Sequence, residues 1–188
     1  WQEERARAAG APVSGFCAQT LREATALLEA GCTDVLLTNE LTEGAMFRLA
    51  ETASRHPKAT VNTLVDCQAH IAALETAAAA AGAKNVGALI EIECGQGRCG
   101  CPAASDTAVA LARALVDSER LTFGGLHVYH GGIQHLRSSA ERMSAVNVGP
   151  ASAAESTAAR LRAAGIDIPL VTGGGTGTFL QDIAAGTH

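Results

Sequence analysis

A repeated change of period constrains this chain more than any other feature. Short apolar runs rich in Val, Ile, Leu and Thr alternate with longer stretches whose apolar residues recur every third or fourth position. The first run, Pro12 to Cys17, reads as a strand. Thr20 then caps a helix: Leu21, Ala24, Leu27 and Leu28 share one face, Thr20 and Glu23 have capping-box spacing, and Gly31 ends it. Asp34 to Thr38 reads as a strand, 43–55 as a helix with Met46, Leu49 and Ala50 inward, Thr60 to Val65 as a strand, and the alanine-rich stretch Asp66 to Ala81 as a helix. Val86 to Glu93 is the next strand, 106–116 a helix, Leu121 to Tyr129 a strand, 140–163 one long helix, and Leu170 to Thr172 a last short strand.

Six strands therefore alternate with five helices. The strands are almost continuously apolar, as strands covered on both faces are, so the class is parallel α/β. Two topologies satisfy this: an open doubly wound sheet and a (β/α)8 barrel. No G-x-G-x-x-G follows the first strand, which weakens the first reading. A complete barrel needs about 250 residues. At 188 residues the expectation is an incomplete (β/α)8 TIM barrel, with about six of eight strands present.

Charge and cysteine usage narrow the function classes. The net charge is −5, with 12 Arg and two Lys (Lys58 and Lys84), so there is no broad basic surface of the kind that binds nucleic acid through its phosphates. No uncharged run reaches the ~18 residues of a membrane span. The chain opens Trp1-Gln-Glu-Glu-Arg, neither a signal peptide nor a natural start, and is expected to be a fragment. Six cysteines are too sparse for a disulfide scaffold, and the C-x4-C-x-C cluster of Cys94, Cys99 and Cys101 has no second ligand pair at finger spacing. Buried structural thiols in a reducing, intracellular and cytoplasmic setting are expected.

In parallel α/β folds the functional groups gather in the loops after the strands. Asn39-Glu40 follows the second strand, with Asn39 at the rim or as a turn residue. The loop Cys94 to Gly100 places Arg98, a planar fork of donors, among glycines that admit close approach of a ligand. Leu126 to His135 concentrates three His, the only Tyr and Gln134, with His127 and Tyr129 on one strand face. Thr172 to Thr178 alternates Gly with Thr and offers N–H and hydroxyl donors to a phosphate, without the Lys of a Walker loop. His56 and His70 read as surface or packing residues.

These loops carry a resemblance. Glu91-Ile-Glu-Cys-Gly-Gln-Gly-Arg-Cys-Gly100, Tyr129-His-Gly-Gly-Ile-Gln-His135 and Thr172-Gly-Gly-Gly-Thr-Gly-Thr178, with Leu21-Arg-Glu-Ala-Thr-Ala and Asp34-Val-Leu-Leu-Thr-Asn-Glu40, resemble the D-threonine aldolase and D-serine dehydratase group of fold-type III pyridoxal-phosphate enzymes, over about residues 13–186. The resemblance implies an alanine-racemase-like barrel across residues 1–188 that binds pyridoxal 5'-phosphate, with the family's C-terminal β-domain absent. It implies that Arg98 faces the cofactor's phenolic oxygen, Tyr129 lies by the ring nitrogen, Gly174, Gly175, Thr176, Gly177 and Thr178 hold the phosphate, and His135 is the base for the substrate's β-hydroxyl. The implied reaction is retro-aldol cleavage of D-threonine or another D-3-hydroxy amino acid to glycine and an aldehyde, assisted by a divalent metal (Mn, Mg or Zn) in the full-length protein. A homodimer is implied for that longer form. D-serine dehydration, a non-catalytic pyridoxal-phosphate domain, and a different barrel enzyme acting on a phosphorylated substrate are the competing readings. The family's Schiff-base lysine would fall just before Trp1, and neither Lys58 nor Lys84 stands at its position. The family's metal ligands would follow His188, which is not one of them.

Overall fold

The computed structural model describes residues 2–10 and 13–186; Trp1, Pro12 and His188 lie outside the described residues. In chain order the elements are α1 (Gln2–Ala8), β1 (Phe16–Ala18), α2 (Leu21–Glu29), β2 (Asp34–Glu40), α3 (Glu43–Arg55), β3 (Thr60–Val65), α4 (Gln68–Ala81), β4 (Val86–Glu93), β5 (Cys101–Pro102), α5 (Asp106–Val116), β6 (Thr122–Val128), α6 (Ser139–Val146), α7 (Ser152–Ala163), β7 (Val171–Gly173) and α8 (Phe179–Ala185). The main sheet runs β1-β2-β3-β4-β6-β7, every pair parallel, with the two-residue β5 paired to β4 off this path. This order decides between the two topologies. A doubly wound sheet reverses direction at a switch point. Here each strand joins the next one along without reversal, which is the winding of a barrel, and the six strands form about half to three-quarters of one.

Period-two alternation divides the strands between two environments. Val35, Leu37, Val61, Val65, Ala88 and Ile90 face outward into the main core, where Ala24 and Leu28 of α2, Met46, Leu49 and Ala50 of α3 and Leu74 of α4 cover them. Each fully buried Leu or Met here contributes about 1.5–3 kcal/mol of transfer free energy. Leu36, Leu64 and Leu89 form a separate cluster on the other face, the apolar floor of the barrel interior. Residues two further along β4 and β6 stand above that floor, and there the chain places Glu91 and His127.

The expected capping box is present: Glu23 N–H donates to Thr20 Oγ1, and the Glu23 carboxylate accepts from the Thr20 amide. The long helix expected over 140–163 is interrupted. Pro150 has no N–H to donate and its ring crowds the preceding turn, so Asn147–Ala151 widens into a π turn between α6 and α7. Helix α4 begins at Gln68 with Cys67 as its N-cap, which leaves Asp66 on the strand-end rim. The short elements α1, β5 and α8 carried no periodic signal long enough to read. No disulfide joins the described residues; Cys94 and Cys101 are buried and Cys17 is exposed. No helix among the described residues is long and apolar enough to cross a membrane.

Candidate functional site

The C-terminal ends of β1, β2, β6 and β7 and the loop after β4 surround one cavity of ≈ 280 Å³. Cys17, Gln19, Thr38, Arg98, His127, Tyr129 and Gln134 line it, with the run Thr172–Thr176. Arg98 and Tyr129, far apart in sequence, and Gly174, Gly175 and Thr176 thus meet around a single space.

The loop bearing Arg98 is tied down by hydrogen bonds to its main chain. The Glu93 carboxylate accepts from the amides of Gly95 and Gly97, curling the loop onto the end of β4. Gln96 Oε1 accepts from Gly131 N–H at 3.0 Å, and Asp66 Oδ2 accepts from Gly100 N–H at 3.2 Å. Gly100 has φ +103, and a Cβ there would stand 2.7 Å from the Glu93 amide nitrogen, so the turn needs glycine. The guanidinium of Arg98 is half exposed, with Nε–H donating to Cys99 Sγ and Nη2 lying 3.9 Å from Glu91 Oε1.

Beneath it lies a buried polar pair. Glu91 and His127 face one another across the β4–β6 register, and the Glu91 carboxylate is joined to His127 Nδ1. Glu91 therefore serves three partners, Arg98, His127 and the Cys99 thiol, from a position only 2% exposed. The Glu91 contact holds the imidazole in place beside Tyr129, with ring centroids 6.2 Å apart and planes tilted by 37°. The shared face of His127 and Tyr129 was legible in the strand alternation. The Glu91 partnership is not legible in any local stretch, although a carboxylate inside an otherwise apolar strand is its signal.

On the opposite wall, Gln134 organises the glycine loop. Its Nε2–H donates to Tyr129 Oη at 2.8 Å, and its Oε1 accepts from Gly177 N–H at 2.9 Å. A Cβ on Gly175 would stand 2.3 Å from the Gln134 amide carbon, so the loop can lie against this side chain only as glycine. Gly177 and Thr178 lie behind the lip rather than in the lining: Gly177 N–H is taken by Gln134, and the buried Thr178 hydroxyl accepts from Gly175 N–H and donates to Asp182 Oδ2. His135 ends the 3-10 turn Gly131–His135, exposed and outside the cavity lining. Asn39 is exposed within β2 and caps no helix; Thr42 is the N-cap of α3. Lys58 and Lys84 are both exposed at the N-terminal ends of β3 and β4, across the sheet from the cavity.

The rim is strongly acidic. Burial first, then the neighbouring Asp66 and the negative charge of Glu91, push the Glu40 carboxyl up to about 7, with Arg98 partly offsetting them. Burial also pushes the thiols of Cys94 and Cys101 up, to about 12 and about 11. These are inert thiols rather than nucleophiles.

The cavity thus offers a forked cationic donor, an imidazole–phenol wall and a glycine–threonine lip. That set of donors fits a flat anionic ring with a phosphate at one end. The family model described as "Alanine racemase, N-terminal domain" matches residues 2–188. A 3-hydroxy-D-aspartate aldolase of Paracoccus denitrificans (strain Pd 1222) is 38% identical over 93% of this chain and 44% of its own length. A D-threonine aldolase of an Arthrobacter species is 37% identical over 93% of this chain and 45% of its own. The crystal structure of D-threonine aldolase from Filomicrobium marinum superposes with a TM-score of 0.86 at 35% identity, over 98% of this chain and 48% of that one. The chain therefore spans less than half the length of the curated relatives it matches.

Proposed function

The chain belongs to the family of the alanine racemase N-terminal domain, and from that membership we propose that it is the cofactor-binding part of a pyridoxal 5'-phosphate-dependent lyase. Its substrates are D-threonine and related D-3-hydroxy amino acids, cleaved to glycine and an aldehyde. The observation that carries this reading is the convergence of Arg98, Tyr129 and Gly174–Thr176 on one cavity, in a chain similar to aldolases of that substrate class.

Once bound, the cofactor supplies an electron sink for the negative charge left on Cα when Cα–Cβ breaks. Arg98 holds the phenolic oxygen as an anion, itself steadied by Glu91. Tyr129 would lie by the ring nitrogen; because its oxygen already accepts from Gln134, its own O–H is left to donate. A phenol there would favour a less protonated ring than a carboxylate would. Gly174, Gly175 and Thr176 cradle the phosphate, with Gly177 and Thr178 bracing them from behind. His135, which ends the Gly131–His135 turn beyond the cavity lining, is the proposed base for the proton of the substrate's β-hydroxyl.

The test is the full-length protein offered D-threonine, D-3-hydroxyaspartate and D-serine, with and without chelator. Aldehyde and glycine are expected from the first two; ammonia from D-serine without aldehyde would replace this reading with a dehydratase. His135→Ala is expected to lower aldehyde release by about 10²–10⁴-fold while cofactor remains bound. Near-normal release would remove His135 from the role of base. Because neither Lys58 nor Lys84 is at the cavity, the 188-residue chain by itself is expected to hold pyridoxal phosphate without a borohydride-reducible bond. A covalently reduced adduct on this chain would overturn that expectation.

A further inference from the structure

Beside the cavity, at the junction of β3 and α4, three side chains of different chemistry converge. Asp66, Cys67 and His70 each present a ligand atom, and these atoms all lie within 4.8 Å of one another. We propose that Asp66, Cys67 and His70 form a binding site for a borderline divalent transition metal of the zinc class, with one coordination position open to water.

The geometry carries the proposal. A tetrahedral ion with O and N ligands at about 2.0–2.1 Å sets those atoms about 3.3 Å apart. Asp66 Oδ1 and His70 Nδ1 are already 3.2 Å apart. A thiolate at about 2.3 Å requires separations of about 3.6 Å from its neighbours, and all three ligand atoms already lie within 4.8 Å of one another. Asp66 and His70 are four residues apart across the first turn of α4, and Cys67 is the N-cap between them, so the ligand set is held largely by one turn of backbone. Thiolate, imidazole and carboxylate together select zinc-class ions over magnesium or calcium, which prefer all-oxygen sites.

Two buried polar atoms point the same way. His70 Nδ1 faces Asp66 Oδ1 at 3.2 Å without forming a hydrogen bond to it, and Glu40 Oε1 on the adjacent strand end has no hydrogen-bond partner. Glu40, Asp66 and Glu91 gather there with Arg98 as the cation among them, so a second positive charge is electrostatically favoured. Binding replaces the Cys67 S–H bond by an S–metal bond and releases that proton to solvent. Because Asp66 Oδ2 accepts from Gly100 N–H, an ion on Oδ1 also stiffens the loop that carries Arg98.

The test is titration of reduced, chelator-stripped protein with Co²⁺, which needs neither cofactor nor substrate and so stands or falls apart from the lyase reading. The expected result is a thiolate-to-cobalt charge-transfer band with four-coordinate visible bands, saturating at one ion per chain and displaced by Zn²⁺. Cys67→Ser is the informative variant: Ser is a favoured N-cap, so α4 and thermal stability are retained while the band is lost. His70→Asn, at a partly exposed position, is expected to weaken binding by at least about tenfold, since even supporting residues around a metal cost that much. Absence of any band overturns the proposal. So does a band that survives Cys67→Ser, or one lost in Cys99→Ser or Cys101→Ser instead.

Discussion

Replacing Gly125 by alanine probes the contact that sets β7, and with it the glycine loop, against the rest of the site. Gly125 lies in β6 with φ +116, where a residue with a Cβ is strained by about 1–3 kcal/mol. A Cβ there would also stand 1.9 Å from the carbonyl oxygen and 2.8 Å from the carbonyl carbon of Leu170. Those are backbone atoms and cannot rotate away; forcing an atom into such a contact costs about another 1–3 kcal/mol. The same carbonyl accepts the Leu126 N–H at 2.9 Å, so relief by moving Leu170 breaks the bond that starts the β6–β7 ladder. About 4 kcal/mol in all corresponds to a fall in Tm of roughly 8–16 °C for a chain of this size. Gly82→Ala is the matched control: it ends α4 at φ +64 with nothing within 4 Å of the added atom, so it carries only the left-handed penalty of about 1–2 kcal/mol. Thermal unfolding followed by circular dichroism should place Gly125→Ala several degrees below Gly82→Ala. Equal Tm values for the two variants would refute the steric argument.

Three further outcomes are expected. The fold raises the Glu40 carboxyl from the usual 4.5 to about 7, so its protonated form is the one favoured by folding; in chelator-treated protein this contribution is whole below about 4.5 and is lost as pH rises through about 7. Glu40→Gln should flatten that part of the stability–pH profile, and an unchanged slope in urea titrations across the window would count against the assignment. Glu91→Leu strands the buried His127 Nδ1 and frees Arg98, and should lower stability by about 3 kcal/mol, read as a shift of the urea midpoint. At pH 8, alkylation mapped by mass spectrometry should reach Cys17 before Cys94 and Cys101, whose thiols burial holds at about 12 and about 11; early labelling of either buried thiol would contradict the packing around them.

Elements whose signals are local were legible to the residue or nearly so. The Thr20–Glu23 box opens α2, and β3, β4 and α3 match their apolar periods. Periodicity misleads where one residue overrides it, as Pro150 does inside the 140–163 stretch, and is silent where elements are too short to show it, as in β5 and α8. At the site, Arg98, Tyr129 and the 174–176 run stood out because each sits in a glycine-bearing loop after a strand. Gln134 was visible only as part of a polar cluster; its bridging role depends on Gly177, 43 residues further on. His70 read as a packing residue because nothing local set it apart from other surface-helix histidines. Only the start of α4 after Cys67 puts it against Asp66.

The sequence by itself determined the parallel α/β layering, the positions of most strands and helices, and which loops are chemically equipped, because periodicity, caps and glycine turns act over a few neighbouring residues. The tertiary structure alone decided that the sheet winds without reversal, that Glu91 pairs with His127 beneath Arg98, and that Gln134 joins Tyr129 to the glycine loop. Those outcomes rest on strand register, which brings together residues 36 or 43 positions apart through packing and hydrogen bonding that no local stretch of chain encodes.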